Sequence, residues 1–306
     1  MPIVIPDGLV DQDVLREEKI FAYSQDRALS QDIRPLEIAI VNLMPKKEET
    51  EIQLFRMLSN TPLQINTDLI HMQSHKAKNS DPKRLSRFYK TFDDIKNKKY
   101  DGIIVTGAPI EKLNYKDIVY WEELKKVFEF AKSNVYSTLF ICWGAQAALY
   151  YYFGIDAAVL DKKIFGVYEF EKLGEDLLFK GFDDTFFAPQ SRYSRVEFEQ
   201  FKDKKDLIVL AGRRETGVVL AATKNHRQIF SFSHFEYDKN TLHDEYIRDK
   251  SKGLDTLPAE NYYENDDPNG RIKVRWRANG QLLFLNWLNY CVYQSTPYDL
   301  GELVGI

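Results

Sequence analysis

Several features that would mark a special class of protein are scarce or missing in this chain. Only two of its 306 residues are cysteine, too few for a framework of disulfide bonds. Lys and Arg (42) nearly balance Asp and Glu (46), and a net charge of −4 gives no electrostatic reason to expect nucleic acid or a membrane surface as a partner. No apolar run is long enough to span a bilayer, and the first residues lack a signal-peptide pattern. We therefore expect a cytoplasmic protein in a reducing compartment.

Motifs for phosphate, dinucleotide and metal binding are missing as well. No strand-like run is followed by G-x-G-x-x-G or by a Walker-type loop, and the five histidines are not spaced like metal ligands. Neither a repeat of fixed period nor a Gly/Ser-rich linker divides the chain. We therefore expect no permanently bound cofactor, no metal, and one α/β domain over residues 35–306 after an N-terminal arm, residues 1–34.

Short apolar runs alternate with amphipathic stretches in the first half of the chain. The apolar runs predict strands over 36–43, 64–70, 102–106 and 138–141. The stretches between them predict helices over 48–59, 85–96 and 117–133. After Gly154 the pattern predicts strands over 164–170, 207–210, 217–222 and 228–232, then helices over 241–248 and 280–293. Apolar strands alternating with helices indicate an α/β fold whose mostly parallel central sheet has helices on both faces.

The most informative local feature surrounds Cys142. The strand predicted over 138–141 leads directly into it, and small residues at 144, 145, 147 and 148 allow a helix to start immediately afterwards. This is the strand–nucleophile–helix elbow, with cysteine in place of serine. A helix N-terminus stabilises a thiolate, and the N–H of Trp143 would face an oxyanion. The alternative is an inert core cysteine, which is our interpretation of Cys291 in its late apolar helix.

A cysteine nucleophile needs a base and a group that orients the base. His234 and Glu236 follow the strand predicted over 228–232, and residues two apart in extended backbone project to the same side. We therefore expect Glu236 to accept a hydrogen bond from one ring nitrogen of His234 while the other faces Cys142. The small residues after strand 102–106 would let the N–H of Gly107 or Ala108 act as a second oxyanion donor, although an ordinary tight turn has the same composition.

The cysteine elbow, the His-x-Glu pair and the glycine loop together resemble the class I glutamine-amidotransferase-like fold, a flavodoxin-like α/β architecture. More specifically, the chain resembles the homoserine O-acyltransferases of methionine biosynthesis, the MetA (homoserine transsuccinylase) family. The resemblance covers nearly the whole chain and is carried by blocks at 42–47, 89–92, 106–109, 142–147, 236–238, 245–249, 261–263, 265–268 and 286–290.

This resemblance implies a two-step acyl transfer. Cys142 takes the acyl group from an acyl-coenzyme A, and His234, oriented by Glu236, then activates the hydroxyl of homoserine. Small-molecule substrates are the partners it implies, and a homodimer is compatible with it. The residues that match substrate-binding or functional positions of the family are Lys163, Ser191 and Arg248, with Glu245 as a candidate for the amino group and Lys47 in a functional lysine region.

The family's acyl-selecting position falls on Glu111. Its carboxylate would oppose the free carboxylate of a succinyl group, since like charges about 4 Å apart cost about 4 kcal/mol at an effective dielectric of about 20. Members that accept succinyl carry glycine there, so Glu111 implies acetyl-CoA as the donor. Phe235 and Gln190 depart from the family's pattern near the acceptor pocket. A serine O-acetyltransferase, a homoserine O-succinyltransferase and, more distantly, a glutamine-amidotransferase-like hydrolase therefore stay open.

Overall fold

The structure, a computed structural model, describes residues 34–74 and 81–306 together with Ile3–Val4, Val14 and Ala22–Tyr23. Its strands are β1 (Ile3–Val4), β2 (Ala22–Tyr23), β3 (Leu36–Val41), β4 (Ile65–Ile70), β5 (Tyr89–Lys90), β6 (Tyr100–Val105), β7 (Val135–Ile141), β8 (Ala158–Glu171), β9 (Thr185–Arg195), β10 (Leu207–Arg213), β11 (Gly217–Thr223) and β12 (Gln228–Ser231). Its α-helices are α1 (Lys47–Leu58), α2 (Pro82–Phe88), α3 (Phe92–Ile95), α4 (Trp121–Asn134), α5 (Trp143–Phe153), α6 (Thr241–Ser251) and α7 (Arg277–Asn286), the last continuing as a π-helix over Trp287–Tyr293.

Ten of these strands form one sheet in the order β10-β11-β12-β7-β6-β3-β4-β1-β2, with β5 also paired to β4. Only β11 runs against its neighbours among the described strands of this sheet, so the predicted mostly parallel α/β sheet is confirmed. Val105 pairs with Phe140, and Ile141 pairs with Ser231. The carboxyl ends of β6, β7 and β12 therefore lie side by side, and the residues that follow these three strands meet at one edge.

Helices cover both faces of the sheet, and alternate strand residues pack against each face. Ile38, Ile40 and Leu139 lie in the core that includes α1 and α7. Their neighbours Ala39 and Phe140 lie in the opposite core, which includes α4 and α5. Every residue of β6 is buried. These strands are mostly apolar because both of their faces are covered, and the buried Asp101 of β6 is an exception.

Strands β8 and β9 form a separate antiparallel hairpin, in which Phe165 pairs with Ser191. Its register is interrupted between Val159 and Ile164, so residues 160–163 bulge outward opposite a single residue of β9. Phe165 and Val167 pack with aromatic residues of the late loop in a third, smaller core. The hairpin carries Lys163 on its bulge and Ser191 on β9. The sequence pattern did not predict β9 as a strand.

The helix predicted over 85–96 is wrong. The chain instead forms α2, the short strand β5 and then α3, because Tyr89–Lys90 pair with the end of β4. The side chain of Asp81 accepts the N–H of Lys83 to begin α2. A capping box between Thr91 and Asp94 begins α3. Local capping and strand pairing thus divide a segment whose apolar spacing alone fits one helix.

The predicted N-terminal arm, residues 1–34, lies mostly outside the described residues. The described pieces β1 and β2 join the sheet beside β4. Arg34 donates two hydrogen bonds, of 3.0 and 2.9 Å, to the fully buried carboxylate of Asp101. The division at residue 34 stays a prediction. Within the described residues, no helix is both long and apolar enough to cross a membrane.

Candidate active site

Cys142 occupies the sharp turn between β7 and α5. Its backbone lies at φ 50° and ψ −116°, a conformation that residues other than glycine rarely adopt. Its N–H donates to the carbonyl of Ser231 at 2.7 Å, and its own carbonyl accepts the N–H groups of Ala145 and Gln146 at 3.0 and 3.1 Å. The side chain is 8% exposed. These bonds hold the strained turn and place the thiol beside the N-terminus of α5.

Two glycines let the loop after β6 approach this turn closely. A Cβ at Gly144 would lie 2.6 Å from the carbonyl oxygen of Thr106. A Cβ at Gly107 would lie 3.1 Å from the Cβ of Cys142 and 3.6 Å from the backbone nitrogen of Trp143. Gly107 and Trp143 therefore border the same side of the nucleophile, and Ala108 follows directly in the chain. The sequence predicted that the loop after β6 and the turn at Cys142 lie side by side, and the structure shows their backbones in close contact.

His234 and Glu236 form a buried pair. Nδ1 of His234 lies 2.7 Å from Oε1 of Glu236, and the two residues are 3% and 5% exposed. The predicted contact is present, but the extended backbone expected for it is not. β12 ends at Ser231, and a turn brings the two side chains together, with the N–H of Tyr237 donating to the carbonyl of His234 at 3.3 Å. The ring of Tyr237 stacks on the imidazole, with 4.1 Å between ring centroids.

The surroundings of His234 favour its charged form. Burial acts to lower the pKa of His234, but the charges of Cys142 and Glu236 and hydrogen bonds to both outweigh it, so the pKa is raised well above its usual value. The imidazole thus has Glu236 on one side and Cys142 on the other. This order of nucleophile, base and orienting carboxylate is the one required for acyl transfer through cysteine.

The four side chains that the resemblance assigned to substrate near α6 come together in one cluster. Nζ of Lys163 lies 2.9 Å from Oε1 of Glu245 and 3.3 Å from Oδ2 of Asp249. Ser191 donates its hydroxyl to Oε2 of Glu245 at 2.8 Å. Arg248 donates to Glu245 at 3.2 Å and to Asp249 at 2.6 Å. We call this group the acceptor cluster, and Asp249 is the member that the sequence prediction missed.

Tyr237 lies against the predicted base, His234, and is affected by the charge of the acceptor cluster. It is buried, and burial together with the charges of Glu245, Glu236 and Cys142 raises its pKa well above the usual value. Its ring stacks on His234 while the charge of Glu245 acts on it, so the cluster lies within electrostatic reach of this ring. The sequence offered one signal for Tyr237, an aromatic residue directly after the His-x-Glu pair.

Lys47, by contrast, lies at the start of α1 in a different buried polar network. Its ammonium group donates to the carbonyl of Asn42 at 2.5 Å. Burial lowers its pKa to about 8, and the charge of Glu51 opposes that shift. Asn42 donates to the hydroxyl of Tyr89 at 3.0 Å, and Tyr89 donates to Glu51 at 2.5 Å. A role for Lys47 toward substrate therefore stays a prediction.

Glu111 lies in the loop after β6 and reaches β9. Its Oε1 accepts the N–H of Tyr193 at 3.1 Å. The neighbouring residue on β9, Arg192, is 1% exposed and was missed by the sequence prediction. Burial lowers the pKa of Arg192 to about 10, and the charges of Cys142 and Glu111 act against that shift. The predicted acyl-selecting residue and the predicted nucleophile thus both act electrostatically on one buried arginine.

No group of three or more His, Cys, Asp or Glu side chains that could hold a metal ion occurs within the described residues. The predicted catalytic residues Cys142, His234 and Glu236 come together where β7 and β12 end at one edge of the sheet.

The comparisons agree with that architecture. The family model of homoserine O-succinyltransferase matches residues 2–298. A homoserine O-acetyltransferase of Clostridium novyi is 52% identical over 301 residues, covering 98% of this chain and 99% of the relative. Another, of Petrotoga mobilis, is 51% identical over 304 residues, covering 99% and 98%. A solved glutamine amidotransferase of Thermotoga maritima is 12% identical with a TM-score of 0.53, covering 84% of this chain and 98% of its own, and shares the fold. The chain belongs to the homoserine O-succinyltransferase family.

Proposed function

We propose that this chain is a homoserine O-acetyltransferase, which moves an acetyl group from acetyl-CoA through Cys142 to the hydroxyl of L-homoserine. The observation that carries the proposal is the buried His234–Glu236 pair beside the strained Cys142, with the acceptor cluster within electrostatic reach of Tyr237, which stacks on His234. Relatives that match nearly the full chain at about 50% identity bear the name of this activity. The coenzyme acts as a substrate, and no permanently bound cofactor is required.

In the first half-reaction the thiolate of Cys142 attacks the thioester carbonyl of acetyl-CoA. The N–H of Trp143 and an N–H of the loop at Gly107 and Ala108 stabilise the oxyanion that forms. The C–S bond to coenzyme A then breaks, and the leaving sulfur takes the proton of the His234 imidazolium. Free coenzyme A and an acetyl-cysteine result, and His234 is left neutral.

In the second half-reaction the neutral His234 accepts the hydroxyl proton of homoserine while its oxygen attacks the acetyl-cysteine. The same backbone donors bind the second oxyanion. The C–S bond to Cys142 breaks, which releases O-acetyl-L-homoserine and restores the thiolate beside the imidazolium. Glu236 keeps the ring oriented and stabilises its charge in both half-reactions.

The acceptor cluster supplies both signs of charge that an amino acid needs. Arg248 and Lys163 offer donors for the α-carboxylate, and the guanidinium of Arg248 can bind it in bidentate fashion. Glu245 offers an acceptor for the α-ammonium group. Because Glu245 already pairs with Lys163, Ser191 and Arg248, substrate binding exchanges ion pairs inside the cluster.

Glu111 supports acetyl over succinyl as the transferred group. Its carboxylate accepts the N–H of Tyr193, and the family resemblance makes this the position that selects the acyl group. A second carboxylate there would meet like charge at a cost of about 4 kcal/mol for a separation of about 4 Å at an effective dielectric of about 20. We expect succinyl-CoA to be a poor donor and Glu111→Gly to improve its use relative to acetyl-CoA.

The decisive experiment follows the covalent intermediate. The purified protein is mixed with acetyl-CoA alone, and peptide mass spectrometry locates the acetyl group, which we expect on Cys142. Homoserine or serine is then added, and we expect homoserine to discharge the acetyl-enzyme faster. Cys142→Ala serves as the control that must not be acetylated at the active site.

Each alternative predicts a different outcome of this experiment. Faster discharge by serine would indicate a serine O-acetyltransferase. Equal turnover of succinyl-CoA and acetyl-CoA would contradict the role of Glu111. Absence of acetyl-cysteine together with glutamine hydrolysis would replace the acyltransferase proposal by an amidotransferase-like activity.

A further inference from the structure

Arg192 is a buried cation for which the described residues provide no ion pair. It is 1% exposed, and all three of its guanidinium nitrogens donate to uncharged groups. Nε donates to Oε1 of Gln190 at 3.0 Å, Nη2 donates to the carbonyl of Thr216 at 2.8 Å, and Nη1 donates to the carbonyl of Ser194. Burying a charge without a partner of opposite charge lowers stability, so the buried guanidinium of Arg192 indicates a function that offsets this cost.

The hydrogen-bond partners of Arg192 reach both sides of the catalytic centre. Gln190 donates to the hydroxyl of Ser233 at 2.5 Å, and Ser233 directly precedes His234. On the other side, Gln146 in the first turn of α5 donates to the hydroxyl of Ser194 at 2.7 Å. Arg192 therefore lies behind the space between the cysteine elbow and the base.

Two groups of the active site that can carry negative charge, Cys142 and Glu111, act on this guanidinium. The charge of Cys142 acts on it more strongly than that of Glu111, which approaches from the acyl side. The other titratable or charged groups that face Arg192 or Cys142 from neighbouring elements are Tyr168, Arg195, His234, Glu236 and Tyr237. Arg192 is the only fully buried arginine among the described residues, so its charge is screened little by solvent.

We propose that Arg192 is a positioning residue whose buried guanidinium holds the thiolate of Cys142 in its charged form, with Glu111 competing for the same positive charge. This inference rests on the acyl-cysteine mechanism proposed above. Arg192 touches neither substrate nor the reacting atoms and acts through Cys142. A solely structural role, tying β9 to the turn before β11, would leave the reactivity of the thiol unchanged.

The test measures the rate at which iodoacetamide alkylates Cys142 as a function of pH, with the labelled peptide quantified by mass spectrometry. In Arg192→Gln we expect the pH–rate profile to move to higher pH and the rate at neutral pH to fall about tenfold, which corresponds to a shift of one pH unit. Arg192→Lys keeps the charge and should restore most of the rate. In Glu111→Gln the profile should move the opposite way, to lower pH.

Arg227→Gln is the matched control. Arg227 is half-buried, also donates to backbone carbonyls, those of Tyr136 and Val135, and its turn lies at the opposite edge of the sheet. Its substitution should lower thermal stability without moving the alkylation profile. An unchanged profile in a folded Arg192→Gln would overturn the proposal, as would an equal loss in Arg192→Lys.

If Arg192→Gln does not fold, as circular dichroism would show, Glu111→Gln decides, because Glu111 is only half-buried. A shift to lower pH supports the proposal, and no shift or a shift to higher pH overturns it. Acetyl transfer by the wild type is measured in parallel. Failure of acetyl-CoA to acetylate wild-type Cys142 refutes the proposed function, whereas normal acetylation with an unmoved profile in the variants refutes the role of Arg192 alone.

Discussion

Replacing Glu236 by glutamine tests the charge behind the base with little change of shape. The variant keeps an oxygen that can accept the ring N–H of His234, which now lies 2.7 Å from the carboxylate. It removes the negative charge. The second carboxylate oxygen of Glu236 has no hydrogen-bond partner among the described residues, so most of this charge acts on His234. We expect Glu236→Gln to slow both half-reactions.

The size of the effect follows from the burial and spacing of the pair. Opposite charges about 4 Å apart attract by about 4 kcal/mol at an effective dielectric of about 20, which is close to three orders of magnitude in an equilibrium. The remaining hydrogen bond offsets part of this loss, so we expect kcat to fall by a factor of about 100 to 1,000. The raised pKa of His234 should also fall, because one of the charges that raise it is gone. The imidazolium would then lose its proton at a lower pH, so the basic limb of the pH–rate profile should shift to lower pH.

The assay follows loss of thioester absorbance from acetyl-CoA in a single turnover, and then product formation after homoserine is added. The matched control is Asp176→Asn, which neutralises another histidine–carboxylate pair, His226–Asp176 at 2.8 Å, in the turn before β12. That variant should lose stability and keep its turnover. A Glu236→Gln enzyme within about threefold of the wild-type rate, with an unmoved pH profile, would refute this account of the base.

Three further predictions concern stability and reactivity. Lys47 has a pKa of about 8 in the folded chain against 10.5 ordinarily, so the unfolded chain holds more protons between these two pH values. The free energy of unfolding in urea should therefore rise with pH across this range, relative to Lys47→Met, by up to about 3 kcal/mol. A difference between the two proteins that stays constant with pH would contradict the burial argument. Gly144→Ala places a Cβ 2.6 Å from a carbonyl oxygen and should lower the free energy of unfolding by about 3 kcal/mol or more. Gly154→Ala, at φ +67° with open space around it, should lower it by about 1 kcal/mol, with both variants measured by thermal denaturation. Similar losses of stability in the two variants would argue against close packing at the elbow. Burial raises the pKa of Cys291 to about 12, so iodoacetamide at neutral pH should label Cys142 and spare Cys291, and comparable labelling of both would contradict it.

The parts of the fold that depend on continuous apolar runs could be predicted from sequence. β6 and β7 are buried on both faces and end in runs of apolar residues, 103–105 and 139–141, so their existence and parallel packing follow from the pattern. The approach of Gly107, Cys142 and His234 follows as well, because adjacent parallel strands end at the same edge. The contact between His234 and Glu236 was predicted correctly, but the backbone conformation expected for it was wrong. A turn after β12 brings the two side chains together, where extended backbone was expected.

β9 could not be predicted because the buried side chains of its second half are polar. Gln190, Arg192 and Ser194 alternate toward the interior and are at most 1% exposed, so the strand lacks the apolar alternation that marks a half-buried strand. Their environment is made by hydrogen bonds to residues distant in sequence. Arg192 and Asp249 as site residues, and the place of Tyr237 against His234, likewise depend on contacts between segments that no local pattern encodes.

The consecutive residues Ser191, Arg192 and Tyr193 touch three different parts of the enzyme. Ser191 bonds to the cluster that we propose for the amino acid, Arg192 lies behind the proposed nucleophile, and the backbone of Tyr193 holds Glu111, which we propose selects the acyl group. Because strand residues have a fixed spacing, the distances between these three contacts are fixed by β9. An inserted or deleted residue in β9 would displace all of them together, so changes of donor and acceptor preference in this scaffold should come from substitutions beside the strand and only rarely from changes in its length.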